Sequence, residues 1–380
     1  MSDTLKKLTI EGYRSIRRLE EFPLRELNVL IGANGAGKSN FVSFFNLLRE
    51  MAGQRLQVAL ATTEGGADAC LHLGPKVTPG LAAKLDFGER GYEFSLLPTP
   101  DNRLIFAHEA TAYKGRRSHW GSGHAEAILP ERKDVVNPYW ENSGPVCDAL
   151  SGLIAYHFDD TSLLAPVRRQ GEINDNEIFR RNAENLAPFL YRVRQTCPAV
   201  YWRIRDVVRL AAPFFDDFHL RPVPANPDVI QLEWRQRGSD YPFRAHQFSD
   251  GTLRFICLAT ALLQPAPPAT LLFDEPELGL HPYALTLLGN LFRQASDVSG
   301  RQIIVSTQSA LLLNEFRPEE VIVVERTNGE SIFRRLVSSS LTEWLEEYSL
   351  GELWQKNVLR GRPRDERIQD PTLTGSDRRS

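Results

Sequence analysis

The stretch that decides the fold is Gly32-Ala33-Asn34-Gly35-Ala36-Gly37-Lys38-Ser39, which matches the phosphate-loop pattern G-x-x-x-x-G-K-S at every defined position. The run at residues 27–31 before it is almost continuously apolar, as in a buried strand. Residues 39–51 after it carry phenylalanines and leucines at helical spacing. A strand, a glycine-rich turn and a helix in this order are the context that the motif requires, so we expect this turn to bind the phosphates of a nucleotide.

The residue types of this loop suit a phosphate chain and a magnesium ion. The glycines let the backbone curl so that successive N–H groups point at the β-phosphate. Lys38 places a positive charge on the β- and γ-phosphates, Ser39 offers a hydroxyl to Mg²⁺, and the start of the helix adds its dipole. We therefore expect ATP and Mg²⁺ as ligands. The expected ATP contacts from this loop are Asn34, Gly35, Ala36, Gly37, Lys38, Ser39 and Asn40.

A second apolar run, at residues 269–273, ends in the carboxylates Asp274 and Glu275. Asp274 suits the magnesium shell beside Ser39. Glu275 can polarise a water molecule for in-line attack on the γ-phosphate, so we expect it to be catalytic. Because Lys38 and Asp274 lie far apart in the sequence, a large segment must be inserted between neighbouring strands.

The remaining pattern indicates a mixed α/β chain. Strands alternate with helices over residues 270–336, which predicts a largely parallel sheet, and Asn328-Gly329 predicts a hairpin within that stretch. The other predicted segments are two short strands within 1–31, an antiparallel meander over 68–113, a loop over 114–145, helices over 146–210, strand-like residues over 221–235, a helix over 252–263 and a disordered tail over 361–380.

Composition excludes several classes of protein. The 380 residues are 42% hydrophobic and 24% charged, which is typical of a globular chain. The net charge of −3 excludes a polycation, so any contact with nucleic acid needs a local patch. Four widely spaced cysteines without a CxxC pair exclude a disulfide scaffold and a zinc ribbon. The opening residues lack an apolar signal region and no apolar stretch is long enough to span a bilayer, so we expect a cytoplasmic protein.

Residues 246–252, His-Gln-Phe-Ser-Asp-Gly-Thr, precede a very apolar helix, and residues 278–282, Leu-Gly-Leu-His-Pro, follow the acidic pair. The order of phosphate loop, signature motif, acidic strand and D-loop resembles that of the ABC-type ATPases. More narrowly, it resembles the RecF/SMC-like ATPases of the AAA_21 type, relatives of the OLD family, over essentially residues 5–363. Three further segments are similar to that group: residues 8–16, 156–162 and 348–354.

The resemblance implies an α/β fold, that of an ABC-type P-loop NTPase with a mixed central sheet, an antiparallel β meander and an inserted helical lobe. The expected segments are 1–145, an N-terminal ATPase lobe with the phosphate loop and meander; 146–265, a helical lobe ending in the signature motif; 266–340, a C-terminal ATPase core with the acidic strand and D-loop; and 341–380, C-terminal helices and the disordered tail.

The signature segment has two interpretations. Ser249 and Asp250 are strong N-cap types, and the exposed N–H groups of a helix start can bind an anion; a simple cap on an internal helix is the alternative. In the resembled family this segment meets the γ-phosphate bound by the opposite subunit. The resemblance therefore implies two ATP molecules sandwiched in a head-to-tail homodimer. The expected contacts in trans are Ser249, Asp250, Gly251 and Thr252.

Two departures from the family pattern bear on turnover. The signature reads Ser-Asp-Gly-Thr rather than Ser-Gly-Gly-Gln, and Gln308 stands where many ABC ATPases carry a switch histidine. As a catalytic residue, Gln308 can hydrogen-bond a γ-phosphate or a water but cannot hold a proton, so we expect a slow switch rather than a pump. Gln170 is one candidate for the family's glutamine-bearing loop. Arg14 either contacts ATP, as the resemblance implies, or serves the structure alone.

Several functions remain open from the sequence. The leading hypothesis is an ATP-gated dimeric switch in anti-phage defence or DNA maintenance. Because the segment after Leu336 is too short for the nuclease domain of OLD-type relatives, we expect a nuclease or other effector in trans. The nine arginines of residues 165–210 either contact DNA, as in a RecF-like repair clamp, or form a solvated helical face. The signature and Gln308 disfavour a transporter subunit, and we expect no membrane partner.

Overall fold

The computed structural model describes residues 4–133, 143–158 and 160–361, so the predicted tail beyond Gly361 lies outside the described residues. The strands are β1 (Lys7–Tyr13), β2 (Ile16–Pro23), β3 (Leu27–Ile31), β4 (Leu81–Asp86), β5 (Arg90–Pro98), β6 (Leu104–Tyr113), β7 (Arg116–His119), β8 (Leu153–Tyr156), β9 (Gly171–Glu172), β10 (Phe215–Phe218), β11 (Pro222–Val223), β12 (Asn226–Ile230), β13 (Glu233–Gln236), β14 (Pro242–Arg244), β15 (Thr270–Asp274), β16 (Gln302–Thr307), β17 (Val321–Thr327) and β18 (Glu330–Arg335).

The helices connect these strands. They are α1 (Lys38–Ala52), α2 (Leu56–Ala59), α3 (Ala67–Cys70), α4 (Ser143–Ser151), α5 (Leu186–Thr196), α6 (Pro198–Ala211), α7 (Asp250–Leu263), α8 (Pro282–Asp297), α9 (Ala310–Leu313), α10 (Thr342–Glu347) and α11 (Leu350–Gln355). Single 3₁₀ turns lie at Leu129–Arg132, Pro166–Arg168, Ala245–Gln247, Pro318–Glu320 and Ser338–Ser340, and a π-helical turn at Leu60–Glu64.

A mixed six-stranded sheet forms the centre of the fold, in the order β18-β17-β3-β16-β15-β8. The pairs from β17 to β8 are parallel, whereas β18 returns antiparallel to β17 through the predicted hairpin at Asn328-Gly329. Both hairpin residues have positive φ, as this turn type requires. The predicted α/β fold with a mixed central sheet is therefore confirmed.

Each face of this core sheet is covered by its own hydrophobic core. On one face, Phe41 and Phe45 of α1 pack with Leu272 and Ile304 of the sheet and with the meander. On the other face, the helices α5, α6, α7 and α8 pack against the alternate residues of the same strands, such as Phe273. Burial on both faces explains why these strands read as continuous apolar runs.

The meander is a second, antiparallel sheet with the order β2-β1-β4-β5-β6-β7. The prediction of two strands within residues 1–31 was wrong, because β2 adds a third. Its buried residues Ile16, Leu19 and Phe22 recur every third position, and the register slips between Leu8 and Ile10 of β1, so the alternation typical of a strand is absent. The predicted loop over 114–145 was also wrong in part, since it contains β7 and the start of α4.

The helical prediction over residues 146–210 was wrong at residues 153–156. This segment is β8, the edge strand of the core sheet beside β15, and all four of its residues are buried. A short apolar run of this kind has the same pattern in a buried helix and in a buried strand. Between Tyr156 and α5 the chain is largely irregular, whereas α5 and α6 are helical as expected. The chain therefore adds β8 to the core sheet before α5 and α6 begin.

Glu109 of β6 is fully buried and joins the meander to the segment that follows it. Its carboxylate accepts hydrogen bonds from Tyr92 Oη at 2.9 Å, His124 Nε2 at 2.9 Å, and the backbone N–H groups of Ile128 and Leu129 at 2.9 and 3.1 Å. Burial, followed by the charge of Glu109, raises the pKa of Tyr92 well above its usual value. Four donors thus converge on one buried charge.

We expect Glu109→Gln to lower the free energy of unfolding by about 2 kcal/mol. The reason is that the side-chain NH₂ group of the glutamine would face N–H and O–H groups that need an acceptor. The measurement is urea unfolding at neutral pH. Glu93→Gln on β5 is the matched control, since the Glu93 carboxylate pairs with the more exposed side chains of His108 and Arg117. Its cost should stay below about 1 kcal/mol. Equal costs for the two variants would contradict the role of Glu109.

Candidate functional site

The phosphate loop connects the buried strand β3 to α1, and Lys38 lies inside it. The Lys38 side chain is almost completely buried, and its Nζ donates hydrogen bonds to the carbonyl oxygens of Gly32 at 2.8 Å and Ala33 at 3.1 Å. Burial lowers the pKa of Lys38, and the charges of Glu275, Asp274 and Glu277 partly oppose that shift. The structure therefore brings the lysine close to the acidic end of β15.

Side chains from outside the loop hold its backbone. Ser331 of β18 donates through its Oγ to the carbonyl oxygen of Ala36 at 2.6 Å, and the same Oγ lies 2.7 Å from the hydroxyl oxygen of Ser15. Asn40 Nδ2 of α1 donates to the same Ser15 hydroxyl at 2.7 Å. Gly37 lies against these two serines, and its φ of 112° is in the region that favours glycine.

Oxygen atoms without protein partners gather at the carboxyl ends of β15 and β16. Asp274 and Ser306 are paired residues of these two strands. In the described part of the chain, Asp274 Oδ1 and Ser306 Oγ are buried and have no hydrogen-bond partner. The hydroxyl-bearing Ser39 is exposed in the first turn of α1. Carboxylate and hydroxyl oxygens with free lone pairs are the donors that Mg²⁺ prefers, so Asp274 and Ser39 fit the predicted metal.

Glu275 has a strained backbone and a specific partner. Its φ of 45° is rare for a residue with a side chain, and its N–H donates to the carbonyl oxygen of Ser306 at 2.8 Å. Gln308 Nε2 donates to Glu275 Oε1. Such strain is concentrated at functional sites. The structure thus joins the two residues that the sequence predicted to be catalytic.

Glu277 is a site residue that the sequence reasoning missed. Its Oε1 accepts the backbone N–H of Gln308 at 2.7 Å, and burial raises its pKa. Glu277 therefore fixes the loop that carries Gln308. The side chain of Gln308 in turn contacts Glu275. The only sequence signal for it is the second acid of Glu275-Pro276-Glu277, which a solvated strand end would also explain.

The signature segment starts α7. Ser249 is the N-cap, and its Oγ accepts the backbone N–H of Thr252 at 3.2 Å. Ser249 and Asp250 are exposed, and Asp250 accepts a hydrogen bond at 2.7 Å from the buried Arg168. No contact described for residues 249–252 joins them to residues 34–40. Within one chain the two expected phosphate-binding segments are therefore separate.

Arg14 and Gln170, the other two candidates from the sequence, lie in different parts of the structure. Arg14 follows β1, and its Nη1 donates to Ser43 Oγ of α1 at 3.2 Å, one turn beyond the phosphate loop. Gln170 lies in the helical lobe, where its Nε2 donates to Gln231 Oε1 at 3.4 Å. Strand β8 pairs with β15, so His157, the first residue after β8, lies next to Asp274. The Nε2 atom of His157 lies 3.3 Å from Asn46 Nδ2.

Comparisons with known proteins agree with this architecture. Residues 145–314 match the AAA_21 family model, described as "AAA domain, putative AbiEii toxin, Type IV TA system". No curated protein matches the chain. Among solved structures, the chain is similar to an SMC head bound to the C-winged helix domain of ScpA, with 15% identity, a TM-score of 0.55, and coverage of 90% of this chain and 99% of that chain.

A second similar structure is the Smc head with an extended coiled coil, bound to the C-terminal domain of ScpA from Pyrococcus furiosus. It has 16% identity and a TM-score of 0.51, and the match covers 90% of this chain and 99% of that chain. The fold is therefore that of the SMC heads. Together with the AAA_21 match over residues 145–314, it bears out the predicted resemblance to the RecF/SMC-like ABC-type ATPases. In the described residues, no helix has the length and apolar character needed to cross a membrane.

The contact between Gly37 and Ser331 leads to a prediction about the loop. A Cβ at Gly37 would lie 2.0 Å from Ser331 Oγ, whereas a Cβ at Gly35 would meet nothing within 4 Å. Both glycines have positive φ, so both alanine variants carry backbone strain. We expect Gly37→Ala to lower the free energy of unfolding by about 1–3 kcal/mol more than Gly35→Ala, because only the former is overpacked. Nucleotide-free urea unfolding measures this difference, and equal losses would show that the contact with Ser331 does not constrain the loop.

Proposed function

We propose that the chain binds Mg-ATP and hydrolyses it slowly, acting as an ATP-gated dimeric switch. One observation carries the proposal: only β16 lies between β15 and β3 in the core sheet, so the ends of these parallel strands bring Asp274 and Glu275 near the buried Lys38, although these residues are far apart in the sequence. A lysine for phosphate, a metal-binding carboxylate and a candidate base are the parts that ATP hydrolysis needs.

In the proposed site, residues 34–40 bind the phosphates through backbone N–H groups and Lys38. Ser39 and Asp274 would hold Mg²⁺, which supplies charge neutralisation at the β- and γ-phosphates. Glu275 accepts a hydrogen bond from the attacking water and polarises it. Gln308 is already bonded to Glu275 and so would orient this carboxylate. Because an amide cannot take up a proton as a histidine can, slow turnover is expected.

The proposed dimer rests on the exposed start of α7. Ser249 and Asp250 face solvent, and the start of the helix offers N–H groups to an anion. A γ-phosphate held by a second copy is the expected ligand, in contact with residues 249–252. The similar SMC heads were solved with a domain of another protein bound. We propose that this chain likewise transmits its state to an effector in trans, in anti-phage defence or DNA maintenance.

A DNA-binding clamp receives less support from the arginine-rich segment. Most of its guanidinium groups are paired with acids, and the Arg205 guanidinium also stacks 4.3 Å from the ring centre of Trp202. Paired arginines have little charge left for a phosphate backbone, which favours the solvated-face interpretation. The ion pairs of the described residues are Arg168–Asp250, Arg180–Asp175, Arg181–Glu50, Arg192–Glu177, Arg205–Asp206, Arg209–Asp206 and Arg209–Asp216.

We expect Lys38→Ala to abolish detectable ATP binding, because it removes the positive charge inside the phosphate loop. Isothermal titration calorimetry with Mg-ATP measures the effect. Lys84→Ala is the matched control, since Lys84 is an exposed lysine of the meander, and it should bind like the wild type. Equal affinity in the Lys38→Ala variant and the wild type would refute the site.

We expect Glu275→Gln to keep ATP binding but to slow hydrolysis by roughly two to four orders of magnitude, because the shape remains and the base is lost. If the trapped ATP joins two chains, this variant should elute as an ATP-dependent dimer in size-exclusion chromatography. Adding Ser249→Arg should restore the nucleotide-free assembly state without affecting binding at Lys38. A Glu275→Gln chain whose assembly ignores ATP would falsify the dimeric switch while leaving ATP binding intact.

A further inference from the structure

A cleft of about 500 Å³ lies beside the second half of α1. Its walls come from α1, from α2 with the π-helical turn after it, and from residues between β8 and α5. None of residues 34–40, 274 and 275 lines it, and Glu50 on its wall lies about three turns of α1, roughly 16 Å, from Ser39. The cleft is therefore distinct from the residues proposed to bind ATP, and its volume is typical of a small-molecule site.

The charged groups around this cleft do not balance one another. Arg55 Nη2 lies 2.9 Å from Glu50 Oε2, and Arg181 Nη1 lies 3.8 Å from Glu50 Oε1, so two guanidinium groups share one carboxylate. A third arginine, Arg49, is close to both. Burial lowers the pKa of Arg49, the charge of Arg181 lowers it further, and Glu50 partly opposes the shift. Three positive charges thus surround one negative charge, which favours binding of an anion.

Arg181 has donors that a ligand can use. Its side chain is 46% exposed, and 3.8 Å is too long for a hydrogen bond to Glu50. In the part of the chain that the structure describes, its guanidinium group donates no hydrogen bond. Its backbone, by contrast, is held in place, because its carbonyl oxygen accepts the N–H of His157 at 2.9 Å. The guanidinium group therefore extends from a fixed main chain into the cleft with its donors available.

The wall formed by α2 is apolar. Val58 lines the cleft and is 60% exposed, and Ala59 and Leu47 lie beside it. A matching ligand therefore combines an anionic group with an organic part. A phosphate group suits the anionic end, because guanidinium groups bind phosphate oxygens through paired hydrogen bonds and a doubly charged phosphate offsets the local excess of positive charge.

We propose that this cleft binds a small phosphate ester, with the phosphate group on Arg55 and Arg181 and the organic part against Val58. Glu50 is the internal counter-ion with which the phosphate competes for the two arginines. The recessed shape and the apolar wall favour a small molecule over a nucleic-acid backbone, which would need an open basic surface. The site shares no lining residue with the proposed ATP site, so it does not depend on the proposed function.

The experiment uses isothermal titration calorimetry with AMP and with inorganic phosphate as probes. The full chain carries Lys38→Ala, so that the phosphate loop does not contribute, and Lys38→Met replaces this change if that chain does not fold. AMP should bind, and inorganic phosphate should bind at least about threefold more weakly because it lacks the organic part. Adding Arg181→Met should weaken AMP binding by about tenfold or more, since charge-assisted hydrogen bonds are lost.

Two further variants separate ligand binding from a structural ion pair. Arg180→Met is the matched control, because the neighbouring Arg180 is 53% exposed, pairs with Asp175 and does not line this cleft. It should bind AMP within about twofold of the parent chain. Glu50→Gln should bind AMP at least about threefold more tightly, because it removes the competing carboxylate and keeps the shape. A purely structural role of Glu50 would instead leave AMP binding unchanged or weaken it.

Absence of AMP binding in the folded Lys38→Ala chain would overturn the proposal, and so would unchanged AMP affinity in Arg181→Met or weaker binding in Glu50→Gln. Equal affinities for AMP and inorganic phosphate would overturn the assignment of a phosphate ester. A DNA duplex that binds in an Arg181-dependent manner when AMP does not bind would replace the small ligand with a nucleic acid. Failure of the proposed ATPase is read separately, from Mg-ATP binding and hydrolysis by the wild type. Arg181→Gln replaces Arg181→Met if the latter does not fold.

Discussion

A buried positive charge at the carboxyl ends of the parallel strands is the constraint on which the rest of the structure depends. Lys38 is 4% exposed, and its ammonium group donates hydrogen bonds to two carbonyl oxygens of its own loop. A buried cation needs nearby negative charge, which Asp274, Glu275 and Glu277 supply. These acids belong to β15 and its following loop, and β16 separates β15 from β3. The charge is therefore balanced only when the core sheet is complete.

The loop around Lys38 is held by segments that close the sheet on its other side. Ser331 of β18 bonds the carbonyl oxygen of Ala36, and the N–H of Ala33 donates to the carbonyl oxygen of Gly361 at 2.9 Å. Both contacts come from residues that follow the acidic strand in the sequence. The phosphate loop is thus a local motif in sequence, but its backbone is supported by the C-terminal part of the described chain.

Two buried arginines, Arg168 and Arg254, connect segments of the chain that are distant in the sequence. Arg168 is buried and donates to the carbonyl oxygens of Thr161 and Ala245 and to the carboxylate of Asp250. Arg254 joins α7 to the loops after β8 and β15. The guanidinium group suits this task because it offers several donors in fixed directions and keeps its charge when it is buried. The excess of arginine in the sequence therefore says little about external polyanions.

The sequence by itself determined the phosphate loop, the acidic strand end, the N-cap of the signature helix and the α/β alternation after residue 270, because each is a local pattern of neighbouring residues. It could not show that residues 153–156 form a strand, since a short buried apolar run looks the same in a helix. The contacts among Glu275, Glu277 and Gln308, and the bridge made by Arg254, were decided only by the tertiary structure. The physical reason is that hydrogen-bond partners from distant segments meet only where packing of the core sheet brings the ends of its strands together.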